Sequence, residues 1–492
     1  MIQFVRKILY DPVKARIIYD FSISLFITGI IFVSFSAFNL SSPTILLFVY
    51  PFVFVLVLWI LGLYGYMKMG SLFIKCFILS LAGLSGIALM FAYFRIISPE
   101  IILIALFTII TTIIPRLFLN FQYMNKYNKD LKTVVISNSP ILVVGGGGYI
   151  GSVLVEELLR RNYKVRVLDK FIYKADVFKD LVHNKNLELI VGDVTNIYDL
   201  TLSLQNVQAV IHLAGIVGDP ASSLDEKLTR HMNVFSTRIL KETVKAFKIP
   251  RFIFASSCSV YGHQDTIVDE NSALKPVSIY ANTKIDSEKE LLSDTSDYFN
   301  PTILRFATVY GHSKRPRFDL VVNLFAAKAF VEQSITVTGG SQWRPFVHVR
   351  DVSQAIIKTL EAPLNKVSRQ VFNVGDESQN LQIQDLAQLV KEAGFKYEKN
   401  VRIETKIQKQ DNRNYQVKFQ KIKKVLNFKP LFTMDEGISE IFEMFKKNVY
   451  EKGYADPIYN NHEMTKRLSK EFRSKGYTKT HISESEIPEH LN

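Results

Sequence analysis

The sequence predicts an α-helical membrane segment with four transmembrane helices, followed by an α/β domain built on a doubly wound parallel sheet. The first observation behind this prediction is a set of four long apolar runs in the first quarter of the chain. The second is the succession of short apolar strands and helix-like segments that begins at residue 141. The third is composition, since 48% hydrophobic and 22% charged residues over 492 positions exclude wholesale disorder and allow several domains.

Each apolar run is close to the roughly 20 residues that a helix needs to cross a bilayer. The runs cover residues 17–38, 44–66, 71–94 and 101–119. Soluble helices rarely stay apolar on every face through four consecutive segments. We therefore expect a four-span anchor within residues 1–120, with lipid as a partner, and a polar linker over residues 121–139.

Basic residues precede the first apolar run and follow the fourth, whereas the loop at residues 39–43 carries no charge. The positive-inside rule then places the N-terminus and everything after residue 120 in the cytoplasm. These flanking residues also explain half of the net charge of +14, because residues 1–140 hold 11 Lys and Arg against 4 Asp and Glu. The remaining excess is spread without a basic block, so we expect no nucleic-acid partner. The two cysteines exclude a disulfide framework and a Cys-rich zinc site, and we expect no metal.

A dinucleotide site is predicted where the α/β part begins. A buried strand at residues 141–144 leads into four glycines, Gly145 to Gly148, and a helix-like run and a second strand ending at Asp169 follow. Glycines let the backbone approach a pyrophosphate, whose charge is stabilised at a helix N-terminus. Asp169 is placed to accept hydrogen bonds from a ribose diol and would repel a 2′-phosphate, which favours NAD over NADP.

The spacing of Gly145, Gly148 and Gly151, G-x-x-G-x-x-G, resembles that of the extended short-chain dehydrogenase/reductase superfamily. Further motifs over roughly residues 140–448 resemble its NAD-dependent nucleotide-sugar epimerase/dehydratase family. The resemblance implies a Rossmann-type sheet with a smaller C-terminal substrate-binding subdomain, and NAD as the cofactor. It places the following residues at the cofactor: Gly145, Gly148, Tyr149, Ile150, Gly151, Asp169, Asp193, Val194, Leu213, Ala214, Gly215, Tyr280 and Lys284. His212, which precedes Leu213, is expected to be a buried core histidine at a strand end.

The catalytic residues are predicted to be Ser257, Tyr280 and Lys284. Tyr280 and Lys284 are four positions apart and share one helix face, so the ammonium is expected to lower the tyrosine pKa from about 10. The phenolate would take a proton from a sugar hydroxyl while a hydride leaves for NAD. The pattern Y-x-x-x-K is common by chance, but here it follows the glycine turn and the loop S-S-C-S-V-Y-G in the family's order. In that loop Ser257 matches the family's catalytic Ser or Thr, and Cys258 is expected to be a packed small residue.

Later motifs resemble the family's substrate cleft. Asn323 matches an asparagine that contacts the nucleotide diphosphate, and Arg344 matches the diphosphate arginine of the segment R-x-[FY]-x-x-V-x-D. Arg413 lies where a second diphosphate arginine is common, and guanidinium groups suit bidentate phosphate binding. The resemblance thus assigns Ser257, Asn323, Arg344 and Arg413 to the substrate. Arg305 is expected to be structural.

The type of reaction is predicted from the lack of an acidic residue in one loop. Family dehydratases carry an acid in the loop after the catalytic Ser or Thr, where this sequence has Cys258 and Ser259. Without that acid, elimination of water has no evident proton donor, so the sequence is nearer the 4-epimerases. A 4-ketoreductase or 4,6-dehydratase on the same scaffold stays open, as does a non-catalytic NAD-binding scaffold of a membrane glycan complex. The expected substrate is a nucleotide sugar, with a UDP-sugar favoured. Members of the family commonly dimerise through helices, so the resemblance also implies a homodimer.

The order of four membrane spans followed by such a domain resembles that of bacterial polysaccharide-biosynthesis membrane proteins. The resemblance is one of architecture only. The resemblance implies a multi-pass protein of the cell inner membrane whose cytoplasmic catalytic domain supplies a sugar for a surface polysaccharide or glycolipid. Residues 449–492 contain few apolar side chains, and we expect a polar surface extension with a short helix.

Overall fold

The protein is described by a computed structural model over residues 138–173, 176–294, 299–406, 413–450 and 452–474. The four expected membrane spans, and the linker up to residue 137, lie outside the described residues. Within the described ranges, no helix combines the length and the apolar character that a bilayer crossing requires.

The strands are short, and the first ones are almost entirely apolar. They are β1 (Ile141–Val144), β2 (Val165–Asp169), β3 (Leu187–Val191), β4 (Ala209–His212), β5 (Arg251–Ser257), β6 (Asn300–Phe306), β7 (Thr308–Tyr310), β8 (Ser334–Thr338), β9 (Trp343–His348), β10 (Val371–Val374), β11 (Asn380–Gln382) and β12 (Arg402–Lys406).

The helices alternate with the strands, as a parallel sheet requires for its crossover connections. They are α1 (Tyr149–Arg160), α2 (Ile197–Ser203), α3 (Asp219–Ser222), α4 (Glu226–Arg230), α5 (Ser236–Ala246), α6 (Ile279–Leu292), α7 (Val321–Val331), α8 (Val349–Glu361), α9 (Leu364–Val367), α10 (Ile383–Phe395), α11 (Gln420–Leu426), α12 (Met434–Lys446) and α13 (Asn461–Ser474). A π-helical turn, His231–Phe235, joins α4 to α5.

Seven strands form one parallel sheet in the order β3-β2-β1-β4-β5-β6-β10. Both faces are covered, because Ile141 and Val143 pack into one apolar core while Leu142 and Val144 pack into another. The strand order reverses direction between β1 and β4, so the sheet is doubly wound as predicted. The predicted Rossmann-type sheet is confirmed.

A smaller C-terminal region has its own apolar core, centred on Tyr310, Phe346 and Phe442. It contains a three-stranded sheet in the order β11-β9-β7 and a parallel pair, β12-β8. Helices α7, α10 and α12 contribute buried residues to the same core. We refer to this region as the C-terminal subdomain and to the seven-stranded part as the dinucleotide half.

After residue 448 the expected helix is present in the described part, but the expected surface position is wrong. Tyr450 and Tyr459 are buried in the core of the C-terminal subdomain. Helix α13 follows, and its Asn461, Met464 and Thr465 are buried as well. The few apolar residues of this segment recur on one helix face, so a low overall hydropathy concealed a packed helix. Residues 475–492 lie outside the described ranges.

Candidate functional site

The main cleft opens at the carboxyl edge of the seven-stranded sheet, beside the β1 and β4 ends where the strand order reverses. Open α/β sheets bind their ligands at such a point because the loops on either side diverge. The cleft contains about 1100 Å³ of empty space, counting its open mouth. Every residue predicted to bind the cofactor lines it, from Gly145 through Asp169 and Gly215 to Lys284.

The glycine loop at the base of the cleft has room for backbone but not for side chains. Gly145 adopts φ +83°, and a Cβ there would lie 2.6 Å from the Ala214 backbone nitrogen. A Cβ on Gly151 would collide with the Gly145 carbonyl oxygen. Helix α1 begins directly after Gly148, with no side-chain cap and no acid in its first turn. Its first N–H groups are therefore available to an anion such as a pyrophosphate.

Two carboxylates stand at the strand ends on one side of the cleft. Asp169, at the end of β2, accepts hydrogen bonds from the backbone nitrogens of Gly147 at 2.8 Å and Phe171 at 2.7 Å. Burial raises its pKa, and these bonds oppose the shift. Each carboxylate oxygen keeps a second lone pair for a ribose hydroxyl. Asp193, after β3, accepts from Lys170 Nζ at 3.0 Å, and hydrogen bonds from Thr195 and Lys170 lower its pKa against the opposing effect of burial. The loop, helix start and carboxylates together fit a dinucleotide.

Tyr280 and Lys284 lie on α6 at the other side of the cleft, and both line it. Lys284 Nζ is 5.8 Å from the centre of the Tyr280 ring and donates to the Ala255 carbonyl oxygen at 2.8 Å. Ser278 caps α6 by accepting from the Ala281 nitrogen, which fixes the first turn and the position of Tyr280. The structure therefore brings the predicted pair together at the end of β5.

The expected lowering of the Tyr280 pKa is wrong for the chain by itself. Burial raises the Tyr280 pKa to about 12, although a hydrogen bond with Ser257 and the charge of Arg317 act against the shift. Burial likewise lowers the Lys284 pKa to about 8, opposed by Glu288. Desolvation disfavours the charged form of each group, and it is the largest cause of both shifts.

Ser257 ends β5 and begins a 3₁₀ turn, Cys258–Tyr261, whose Ser259 nitrogen donates to the Ser257 hydroxyl oxygen at 3.1 Å. Ser257 is hydrogen-bonded to Tyr280 but lies outside the lining of the main cleft. Cys258 is fully buried, its thiol lies 3.3 Å from the Arg305 carbonyl oxygen, and burial raises its pKa. The expectation of a packed, inert cysteine is confirmed.

A buried ion pair supports this wall of the cleft from behind. Arg305 on β6 donates to Glu288 on α6 from Nε at 3.0 Å and Nη2 at 2.6 Å. Glu288 also accepts from the Ser256 hydroxyl, next to the catalytic loop, at 2.5 Å. The Arg305 Nη1 donates to the Tyr261 hydroxyl at 3.0 Å, within the same loop. Arg305 thus has the structural position that the sequence predicted.

Asn323 is buried, and its side-chain amide is hydrogen-bonded within the protein. Its Oδ1 accepts from the Gly311 nitrogen at 3.0 Å, and its Nδ2 donates to the Arg317 carbonyl oxygen at 2.9 Å and the Tyr149 hydroxyl at 3.2 Å. The residue is buried and lies outside the cleft lining. In this structure Asn323 holds the 311–317 loop against α1, and its contact with the nucleotide diphosphate stays a prediction.

Arg344 and Arg413 meet, as their shared predicted role requires. Arg344 Nη1 donates to the Trp343 carbonyl oxygen at 2.7 Å and also to that of Arg413. Arg413 Nη1 donates to Asp219 at 2.7 Å, and Asp219 also accepts from the Ser278 hydroxyl that caps α6. Both guanidinium groups lie outside the lining of the dinucleotide cleft. Their contact with phosphate stays a prediction.

Several cleft residues escaped the sequence analysis. Arg315 and Arg317 reach the cleft from the loop after β7, and Arg315 lies 3.7 Å over the ring of Tyr173. Two others, Asn461 and Leu468, come from α13. The pair of arginines closely follows Val309-Tyr310-Gly311, and the spacing of Met464, Leu468 and Phe472 is helical. Both signals were present in the sequence, but only the fold connects them to the cofactor site.

The distribution of acids in the cleft bears on the chemistry. Of the described residues that line it, the carboxylates are Asp169 and Asp193, both at the β2 and β3 ends. Among the described residues of the lining, no carboxylate lies on the α6 side of the cleft with Tyr280. The loop positions at which family dehydratases carry an acid are occupied by Cys258 and Ser259, both buried.

Comparison with known proteins agrees with this geometry. The sequence profile of the "NAD dependent epimerase/dehydratase family" matches residues 141–375. The chain is 29% identical over 323 residues to a "Putative UDP-glucose 4-epimerase" of Methanocaldococcus jannaschii, covering 63% of this chain and 99% of that protein. It is 33% identical over 234 residues to the "Uncharacterized UDP-glucose epimerase YtcB" of Bacillus subtilis, covering 45% of this chain and 73% of that protein.

A solved structure of similar fold is the UDP-glucuronic acid 4-epimerase of Bacillus cereus in complex with UDP-glucuronic acid and NAD. The TM-score is 0.57 at 26% identity, over 63% of this chain and 99% of that one. The match therefore extends over the whole of that protein and leaves more than a third of this chain outside it.

Proposed function

The chain belongs to the NAD-dependent epimerase/dehydratase family, and from that premise we propose that it is a membrane-anchored UDP-sugar 4-epimerase. Its cofactor is NAD, and it is an enzyme of the epimerase/dehydratase type. The observation that carries the proposal is that Cys258 and Ser259, both buried, occupy the loop positions at which the family's dehydratases carry an acid. An epimerase needs a group that moves one proton and a cofactor that takes and returns one hydride, whereas elimination of water requires a further acid.

In this proposal the residues of the chain handle the proton and the orientation. NAD, when bound, supplies a hydride acceptor at the sugar carbon and a positive charge. Tyr280 Oη takes the proton of the C4 hydroxyl and later returns it, and Ser257 holds the same oxygen through its hydroxyl. Lys284 supports the tyrosine from one helical turn away. Desolvation by the surrounding protein raises the pKa of Tyr280, so the phenol is protonated in the chain alone.

The choice of a UDP-sugar rests on the relatives. The B. cereus epimerase is described in complex with UDP-glucuronic acid, and the M. jannaschii and B. subtilis proteins carry UDP-glucose in their names. Arg344 and Arg413 are the proposed partners of the diphosphate. Their packing against each other at the α6 end of the site supports this role.

The test is a product assay with resolution by mass. The full-length protein in detergent is incubated with a panel of UDP-, dTDP- and GDP-hexoses and hexuronic acids without added NADH, and isomers are separated by chromatography. We expect a new UDP-sugar isomer of unchanged mass. A product lighter by one water would establish a dehydratase, and turnover only with added NADH would establish a reductase. NAD binding without conversion of any sugar would favour a non-catalytic scaffold.

We also propose that residues 1–120 anchor the enzyme in the cell inner membrane with the catalytic domain in the cytoplasm. The four apolar runs and their basic flanks support this proposal. A sugar made at the inner face of the membrane would serve assembly of a surface polysaccharide or glycolipid. A homodimer stays a prediction, which the mass of the protein in solution would check.

A further inference from the structure

We propose that helix α13 is a strap that ties the C-terminal subdomain to the dinucleotide half across the cofactor cleft and retains NAD between turnovers. This inference rests on NAD binding, and on the proposed function only for its biological purpose. The strap is defined here as residues 459–474, whose ends contact different parts of the enzyme.

The first end of the strap is held by the C-terminal subdomain and the loop after β7. The Tyr459 carbonyl oxygen accepts from the Phe318 nitrogen at 3.0 Å, and its ring lies in the apolar core of that subdomain. Two residues on, the Asn461 Oδ1 accepts from Arg315 Nη2 at 2.6 Å. Asn461 is only 2% exposed, so this contact is sheltered from water.

The second end is held by the dinucleotide half. Leu468 and Phe472 pack on a small apolar cluster that includes Ile216 and Leu228, and the Phe472 ring lies 5.6 Å from that of His231. Asp225 Oδ2 accepts from the Ser469 hydroxyl at 2.8 Å and from Arg473 Nε at 3.1 Å. The strap thus has polar and apolar attachments on the α3–α4 segment.

Between its ends the strap forms part of the cleft wall. Asn461 and Leu468 line the cleft together with the glycine loop and Asp169. The Asn461 Nδ2 also donates to the Val217 carbonyl oxygen at 3.3 Å, so one side chain bridges the loop after β4 and Arg315. A dinucleotide entering or leaving the cleft on this side has to pass these contacts.

The strap follows a stretch of chain as long as the part that is shared with one relative. A match to 99% of the B. cereus epimerase uses 63% of the 492 residues, which is about 310. The α/β domain from β1 to the end of α12 at Lys446 already accounts for that length, since β1 begins at Ile141. A strap that slows the exit of NAD suits the proposed reaction. Epimerisation returns the hydride to the sugar, so a cofactor that stays bound is sufficient for repeated turnover.

The experiment measures how fast NAD leaves. Purified full-length protein in detergent is loaded with radiolabelled NAD and diluted into excess unlabelled NAD, and the retained label is followed with time. The double variant Ser469→Ala/Arg473→Ala removes both attachments to Asp225 but leaves the cap that Asp225 provides to α4. The variant Leu468→Ser removes the apolar contact of the strap. We expect NAD to dissociate at least about tenfold faster from both variants.

The control is the double variant Arg467→Ala/Lys470→Ala, because both side chains are exposed on the same helix. It should release NAD at the wild-type rate. Wild-type release rates in both strap variants would overturn the proposal, and so would equal acceleration in the control. Faster release from either strap variant, with the control unchanged, supports it. No sugar is present in this measurement, so its outcome is independent of whether the product assay finds an epimerase.

Discussion

At the scale of the residue, the properties of Tyr280 come from its burial. The phenol is held near pKa 12, with Ser257 and Arg317 opposing the effect of burial. A buried phenol in this state is a poor base in the chain alone, and it becomes a useful one when positive charge is added nearby. In the proposed mechanism, the positive charge of bound NAD would stabilise the phenolate and so couple cofactor binding to acid–base activity.

Tyr280→Phe removes the hydroxyl and keeps the ring. We expect kcat to fall at least 100-fold, because general acid–base groups contribute about 10² to 10⁴ in rate. The amount of NAD bound per chain should stay at the wild-type value, measured by release in acid and chromatography. Tyr198→Phe is the matched control, since Tyr198 is 73% exposed. A kcat of the Tyr280 variant equal to that of the wild type would contradict the proposed mechanism.

His212 makes stability depend on pH. The residue is buried against Phe252 and Phe254 as predicted, its Nε2 lies 3.1 Å from the Thr237 hydroxyl, and burial lowers its pKa to about 3. Between pH 6.5 and 3 the unfolded chain binds a proton at this histidine and the folded chain does not. Stability is therefore lost as pH falls through this window.

The expected size of the effect is about 2 kcal/mol of unfolding free energy between pH 6.5 and pH 5. His212→Leu should lack this contribution. Thermal unfolding of both proteins at pH 7.5, 6.5 and 5.0 measures it, with the wild type losing more stability on acidification. Identical pH dependence in the two proteins would contradict the assignment.

At the scale of the element, α6 connects catalysis to the core. Tyr280, Lys284 and Glu288 are spaced by four and lie along one face of this helix, which packs on the end of β5. The first two line the cleft, and the third is paired with Arg305 on the next strand. The ion pair fixes the helix at the register in which the catalytic side chains reach the cleft.

Glu288→Gln leaves the Arg305 guanidinium buried without its counter-charge. We expect a loss of about 3 to 5 kcal/mol in unfolding free energy, the usual cost of breaking a buried pair. Asp286→Asn on the same helix is the control, because Asp286 pairs with Arg230 and both side chains are exposed. That change should cost about 1 kcal/mol or less. Denaturant unfolding measures the free energy of unfolding of both variants. Equal losses in the two would contradict a large contribution of the buried ion pair.

At the scale of the whole molecule, the enzyme joins a dinucleotide half, a C-terminal subdomain and an N-terminal quarter of strongly apolar composition. The loop after β7 and helix α13 connect the first two across the cleft. Their attachment places Asn461 and Leu468, from a short polar segment near the end of the described chain, in the wall of the cleft. The proposed anchor would restrict the same site to the membrane surface.

The anchor gives a prediction for the whole protein. After cell lysis the full-length chain should sediment with membranes and resist extraction by carbonate at high pH, because four apolar spans hold it in the bilayer. A chain beginning at residue 138 should move to the supernatant and keep its bound NAD. Release of the full-length chain by salt alone would contradict the anchor.

Local patterns in the sequence determined the β1–glycine–α1–β2 unit, the Tyr280–Lys284 pair and the packed state of Cys258 and His212. These features depend on residues that are close along the chain, where strand and helix periodicity and backbone sterics decide the outcome. The sequence also placed Arg344 and Arg413 in one region, through motifs that resemble those of a family.

The tertiary structure alone decided how distant residues share their interactions. The side-chain amide of Asn323 is hydrogen-bonded to Gly311, Tyr149 and Arg317, and no local sequence pattern reveals these partners. Desolvation is the largest cause of the raised Tyr280 pKa, and its size depends on every element packed around the ring. Asn461 reaches Arg315 across 146 positions of sequence, and such a contact is set by the packing of the whole domain.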